Sequence, residues 1–74
     1  MLTLEEIVAV LDEHELTHQP RGSYLLEVDG GQVLIALWWG KTKWVDLRSD
    51  TVRRVRGLDH LDTLAREAKK AVKN

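Results

Sequence analysis

The stretch YLLEVDGGQVLIAL, Tyr24 to Leu37, decides how this chain folds. Two apolar runs flank Asp29-Gly30-Gly31-Gln32, and glycine takes the positive φ of a tight turn without steric cost. With Gly30 and Gly31 as the loop, Asp29 opposes Gln32, Val28 opposes Val33, Leu26 opposes Ile35 and Tyr24 opposes Leu37. Apolar residues meet apolar residues in this register, which is what cross-strand packing favours.

A second turn extends the hairpin. Gly40-Lys41, with glycine first, fits a two-residue type II′ loop. It yields three antiparallel strands, Tyr24 to Asp29, Val33 to Trp39 and Thr42 to Arg48, with Trp39 opposite Thr42, Leu37 opposite Trp44 and Ala36 opposite Val45. Alternation then puts Tyr24, Leu26, Val28, Val33, Ile35, Leu37, Trp39 and Trp44 on one face. The other face receives Leu25, Glu27, Leu34, Ala36, Trp38, Val45 and Leu47. Both faces are apolar, whereas a one-layer antiparallel sheet usually alternates apolar with polar because one side meets water. The first face is expected to be the core. The second is expected either to lie under a helix, in three layers, or to form a partner-binding patch of Leu25, Leu34, Ala36, Trp38, Val45 and Leu47 centred on Trp38.

Helices are expected on both sides of the sheet in sequence. Thr3-Leu4-Glu5-Glu6 fits a capping box, and Leu4, Ile7, Val8 and Leu11 recur at helical spacing, predicting a helix from Thr3 to about Glu15. Pro20, Arg21 and Gly22 end any continuation. A last helix, capped by Asp59, is expected through about Val72, with the stripe Leu61, Leu64, Ala65, Ala68 and Val72. Residues 50–56 read either as a short helix capped by Asp50, from Val52 and Val55 three apart, or as an edge strand. The fold class is therefore α+β, in the order helix, three-stranded antiparallel sheet, helix, and residues 1–74 read as a single domain.

Composition bounds the function. At 74 residues with no cysteine, the chain has neither disulfides nor cysteine-based zinc clusters, and the reducing cytoplasm is the expected compartment. No apolar run reaches membrane length, and no secretory signal is apparent at the N-terminus. A domain this small buries only about 60–65% of its unfolded surface, so a compact core, a dimer partner or both are needed. The net charge of −1 hides an asymmetry: residues 1–37 hold seven acids and one base, residues 38–74 ten bases and five acids. The two halves are expected to neutralise each other within the fold.

One stretch has a catalytic look. His14-Glu15-Leu16-Thr17-His18 matches H-E-x-x-H and resembles the helix motif of the zincin metallopeptidases. That resemblance implies His14 and His18 as zinc ligands and Glu15 as general base. The sequence departs from the pattern at Asp12, a position normally uncharged, and at Pro20, where a zincin helix would continue. The alternative is an acidic, solvated helix end, and no metal or other cofactor is assigned.

Lys41, Lys43, Arg48, Arg53, Arg54 and Arg56 form a basic segment suited to a phosphate backbone, with Trp38, Trp39 and Trp44 available for base stacking. The order helix, three strands, helix is similar to that of the double-stranded-RNA-binding domain and of some small toxin ribonucleases. The functional residues of neither family are present. The last helix starts acidic, with Asp59 and Asp62, and Gly22-Ser23 is followed by Tyr24 rather than His. The leading reading is a non-enzymatic protein-interaction module or inhibitor that binds a protein partner, or a second copy of itself, through the second sheet face or the acidic helix. Nucleic-acid binding through the basic segment is the alternative, and a minimal metal-dependent hydrolase a remote one.

Overall fold

The computed structural model describes residues 2–38 and 40–72. The expectations placed on Trp39, and on the side chain of Val72, lie outside the described residues and side chains. The element order is α1 (Leu4–Glu13), β1 (His18–Arg21), β2 (Leu25–Val28), β3 (Val33–Trp38), β4 (Lys41–Asp46), β5 (Thr51–Arg54) and α2 (Leu58–Val72). The α+β class is as expected. The sheet, however, has five strands, an antiparallel meander in the order β1-β2-β3-β4-β5.

The first hairpin keeps the expected register, with Val28 opposite Val33 and Leu26 opposite Ile35. Its turn is left-handed throughout: φ is 55° at Asp29, 68° at Gly30 and 89° at Gly31. Two glycines and an aspartate tolerate that region better than most residues. The second hairpin is displaced by two residues from expectation. Trp38 pairs with Lys41, Leu37 with Thr42, Ile35 with Trp44 and Leu34 with Val45. The turn therefore falls between Trp38 and Lys41, with Gly40 at φ 71°. This register sets Trp44 across from Ile35 in mid-sheet, where both are buried, instead of at the sheet's end against Leu37. A two-residue slip leaves every side chain on its expected face, because the strand period is two.

The two added strands lie at the sheet's edges. β1 reads HQPR, and its mostly exposed residues carry no apolar alternation. Pro20 pairs with Leu26, and an edge strand accommodates proline because one side of it makes no ladder bonds. At the other edge, residues 51–54 take the strand option, with Val52 opposite Val45. Asp50 does not cap a helix there. It takes a left-handed φ of 55° in the turn before β5, and the Asp46 carboxylate holds that turn by accepting the Arg48 amide at 2.9 Å.

The capping box at Thr3 is present: the Glu6 amide donates to Thr3 Oγ1 at 3.2 Å and the Thr3 amide to Glu6 Oε1 at 2.9 Å. Ile7 and Leu11 are buried, whereas Leu4, expected in the stripe, is exposed. The helix ends two residues early. Glu15 takes φ 58°, its amide reaches the Asp12 carbonyl at 3.0 Å, and the Leu16 amide reaches the Leu11 carbonyl at 2.9 Å. This is a Schellman closure with glutamate at the left-handed position, and it turns Leu16 back into the core. α2 begins at Leu58, with the Gly57 carbonyl accepting from the Leu61 amide at 3.0 Å. Asp59 thus stands in the first turn and is not the cap.

Both helices lie on one side of the sheet. Ile7, Leu11 and Leu16 join Leu26, Val28, Val33, Ile35, Trp44 and Val55 of the sheet side, and Leu61, Leu64, Ala65 and Ala68 of α2, in one core. The helices are cross-linked by His14 Nε2, which donates to Asp62 Oδ1 at 2.6 Å, and by Lys69 Nζ, which donates to the Glu15 carbonyl at 3.2 Å. Ile35→Ala is expected to cost about 2–5 kcal/mol, a large share of the stability of so small a fold, because the cavity opens where strand and helices meet. Half-buried Leu37→Ala should cost less. Urea denaturation checks both, and equal melting of Ile35→Ala and wild type would contradict this packing.

Candidate functional site

The outer face of the sheet carries no helix among the described residues. Of the residues expected to share this face, Leu25, Leu34, Ala36, Trp38 and Val45 do share it by register, and Leu47 follows β4 in the next turn. Leu34, Ala36 and Val45 are half-buried by their neighbours in the centre of the sheet. Trp38 is 56% exposed and Leu47 55%. The three-layer arrangement, with a helix over this face, is thereby excluded for the described residues. β5 adds Val52, 63% exposed, directly across from Val45. The sequence concealed Val52 because its spacing to Val55 also fits a helix.

Tyr24 is a correction. Expected in the core opposite Leu37, it sits instead in the β1–β2 turn, exposed, with its ring centroid 5.0 Å from that of Trp38 at a tilt of 53°. Its carbonyl still joins the ladder, accepting from the Leu37 amide at 2.8 Å. The backbone pairing is thus as expected while the side chain lies with the outer face.

The six basic residues do not form one surface. Register places Lys41 beside Trp38, Lys43 beside Ala36, and Arg54 beside Lys43, all on the outer face. Arg21, opposite Leu25, extends that basic row and binds Glu27 at 2.8 Å. Arg53 stands opposite Trp44 and so belongs to the helix side. Arg48 is held by Asp46, with Nε 3.3 Å from Oδ1. Burial pushes the Asp46 carboxyl up, but the hydrogen bonds and charge of Arg48 and the Ser49 amide outweigh it and hold the pKa below the usual value. Arg56 follows β5, and Lys41, Arg53, Arg54 and Arg56 together line a groove at this end of the sheet.

The H-E-x-x-H resemblance does not extend to geometry. His14 caps the end of α1, Glu15 is the left-handed residue after it, and His18 opens β1. The two imidazoles therefore share no helical face. Each is engaged by a different carboxylate, His14 by Asp62 at 2.6 Å and His18 by Asp12 at 2.7 Å. The order shared with the RNA-binding domain and the toxin ribonucleases is likewise altered, since two further strands enter the sheet. No helix of the described residues is long and apolar enough to cross a membrane.

Two measurements follow from this geometry. Glu15→Gly should stabilise the protein by roughly 0.5–1 kcal/mol, the relief of left-handed strain less the added freedom of the unfolded chain. A loss of stability would show that the Glu15 side chain itself holds the turn. The hydrogen bond from His14 outweighs the opposing effect of burial and, helped by the charges of His14 and Arg66, holds the Asp62 carboxyl below its ordinary value of 3.8. A carboxyl depressed by folding stabilises the native state when ionised. Its contribution is complete above the unfolded value and disappears as pH falls through the folded one. Asp62→Asn should therefore flatten the decline of stability below about pH 4, leaving the part due to Asp46. Urea midpoints across the acid range check this, and an unchanged slope would remove Asp62 from the acid response.

Comparison with protein-family models, with curated proteins and with solved structures finds no match to this chain.

Proposed function

We propose that this protein is a small non-enzymatic interaction module, an inhibitor or regulator of the cytoplasm, that binds a protein partner through the outer face of its sheet. One observation carries the reading. Leu25, Leu34, Ala36, Trp38, Val45, Leu47 and Val52 form a continuous apolar surface with no helix over it among the described residues. Contiguous apolar surface flanked by polar residues marks interaction sites, and exposed aromatic anchors within it contribute most to binding.

Charge supports a partner of a particular kind. Arg21, Lys41, Lys43 and Arg54 flank the apolar surface, and Glu27, the acid among them, is already paired with Arg21. An apolar segment bordered by acidic residues would match both features. Two copies of this chain face to face would instead bring the same cations into the interface from both sides, which like-charge repulsion disfavours.

A photo-crosslinking residue at Val52 or Leu47, in cells of the source organism, should capture one protein. The same residue at Arg66, on the exposed side of α2, should not. With that protein purified, Trp38→Ser should weaken the complex by about 2 kcal/mol, roughly thirtyfold, while circular dichroism stays native. Equal capture at Arg66, or adducts formed only between copies of this chain, would overturn the proposal.

A further inference from the structure

We infer that the groove at the β5 end of the sheet binds the phosphate backbone of a single-stranded nucleic acid. The groove meets the outer face at one corner, where Lys41 and Arg54 flank both, and is distinct from that face's aliphatic centre. The groove's volume, about 1360 Å³, lies above the ~300–1,000 Å³ of a small-molecule pocket. Lys41, Arg53, Arg54, Arg56 and His60 line it, and the acid among the lining residues is Glu6. The Glu6 carboxylate is already committed, accepting from the Thr3 amide at 2.9 Å and the Thr3 hydroxyl at 3.1 Å.

The arginines of this protein divide by location. Arg21, Arg48 and Arg66 each lie within ion-pair distance of a carboxylate, at 2.8, 3.3 and 2.8 Å. Among the described residues, Arg53, Arg54 and Arg56 have no such partner. The three arginines without a carboxylate partner therefore all line the groove, Arg53 from the helix side of β5 and Arg54, with Lys41, from the outer side. Guanidinium forks match phosphate oxygens in a bidentate fashion, which favours a phosphate chain over isolated anions.

The aromatic pair distinguishes a single strand from a duplex. Trp38 stands directly across from Lys41, a lining residue of the groove, in the β3–β4 register, and its exposed ring lies 5.0 Å from that of Tyr24. Unpaired bases stack on such rings without regard to sequence, whereas the bases of a duplex are already stacked on one another. The aliphatic centre of the outer face lies beyond this corner and is not used.

The test titrates the full chain into a fluorescein-labelled oligothymidylate of about fifteen nucleotides and reads anisotropy. Neutralising about three or four phosphates should make affinity fall roughly 15- to 50-fold between about 50 and 200 mM salt. Arg53→Glu with Arg56→Glu, both off the outer face, should weaken binding at least about tenfold while keeping the native circular dichroism spectrum. Should that pair fail to fold, Arg56→Gln in the loop should give a smaller loss in the same direction. Arg48→Ala, removing a cation already paired, should leave affinity within about twofold. Trp38→Ser should lower affinity without changing the salt slope. Absence of binding at the lower salt would overturn the inference, as would binding undiminished in the folded groove variants. Displacement of the oligonucleotide by an equal charge of polyglutamate would overturn it too, and would identify the groove as a site for an acidic protein.

Discussion

Packing of both helices against the sheet face built from Leu26, Val28, Val33, Ile35 and Trp44 is the constraint on which the rest of this molecule depends. The strands are apolar on both sides, and two short helices cannot cover both. By settling together on one face they share the long apolar side chains of mid-sheet and bury Leu61, Ile7 and Leu11 completely. The outer face is left with its leucines, valines and Trp38 against solvent. Burial of apolar area is the main favourable term in folding, so this division concentrates it in one core.

The same packing shapes the end of α1. Leu16 reaches the core only if the chain leaves the helix at Glu15, and the left-handed φ of 58° there is the cost of that exit. His14 is then positioned at the helix terminus, beside Asp62 of α2, instead of on a helical face shared with His18. A sequence that matches a metallopeptidase motif over five residues thus becomes a helix stop, an inter-helix hydrogen bond and the start of an edge strand. Spacing alone carries a motif's chemistry only when the backbone keeps the helical period across it.

The uneven charge of the two halves is partly reconciled within the fold. Arg48 of the basic half lies 4.0 Å from Asp29 of the acidic half, whereas Asp62 meets the His14 imidazole and Lys69 meets only the backbone carbonyl of Glu15. These contacts cluster near the helix–helix contact and the β4–β5 turn. The cations at the opposite end, Lys41, Arg53, Arg54 and Arg56, gather around a groove instead. Neutralisation between the halves, expected from composition, is therefore local.

What the sequence determined by itself is periodic or local. The Thr3 capping box, the Val28–Val33 register and the stripe Leu61, Leu64, Ala65, Ala68 each rest on spacing that a few neighbouring residues enforce. Every residue of the outer patch was legible except Val52, because a period of two survives even the two-residue slip in the second hairpin. Tertiary structure decided the remainder. β1 contains no apolar alternation and exists because the edge of β2 offers unpaired backbone groups. Thr51–Arg54 became a strand instead of a helix because β4 lies beside it. Tyr24 moved to Trp38, and the six cations divided between a face, a turn and a groove, according to where the strands ended. Above all, the side of the sheet that each helix covers depends on how two separate apolar stripes compete for two apolar faces, a long-range choice that no local spacing encodes.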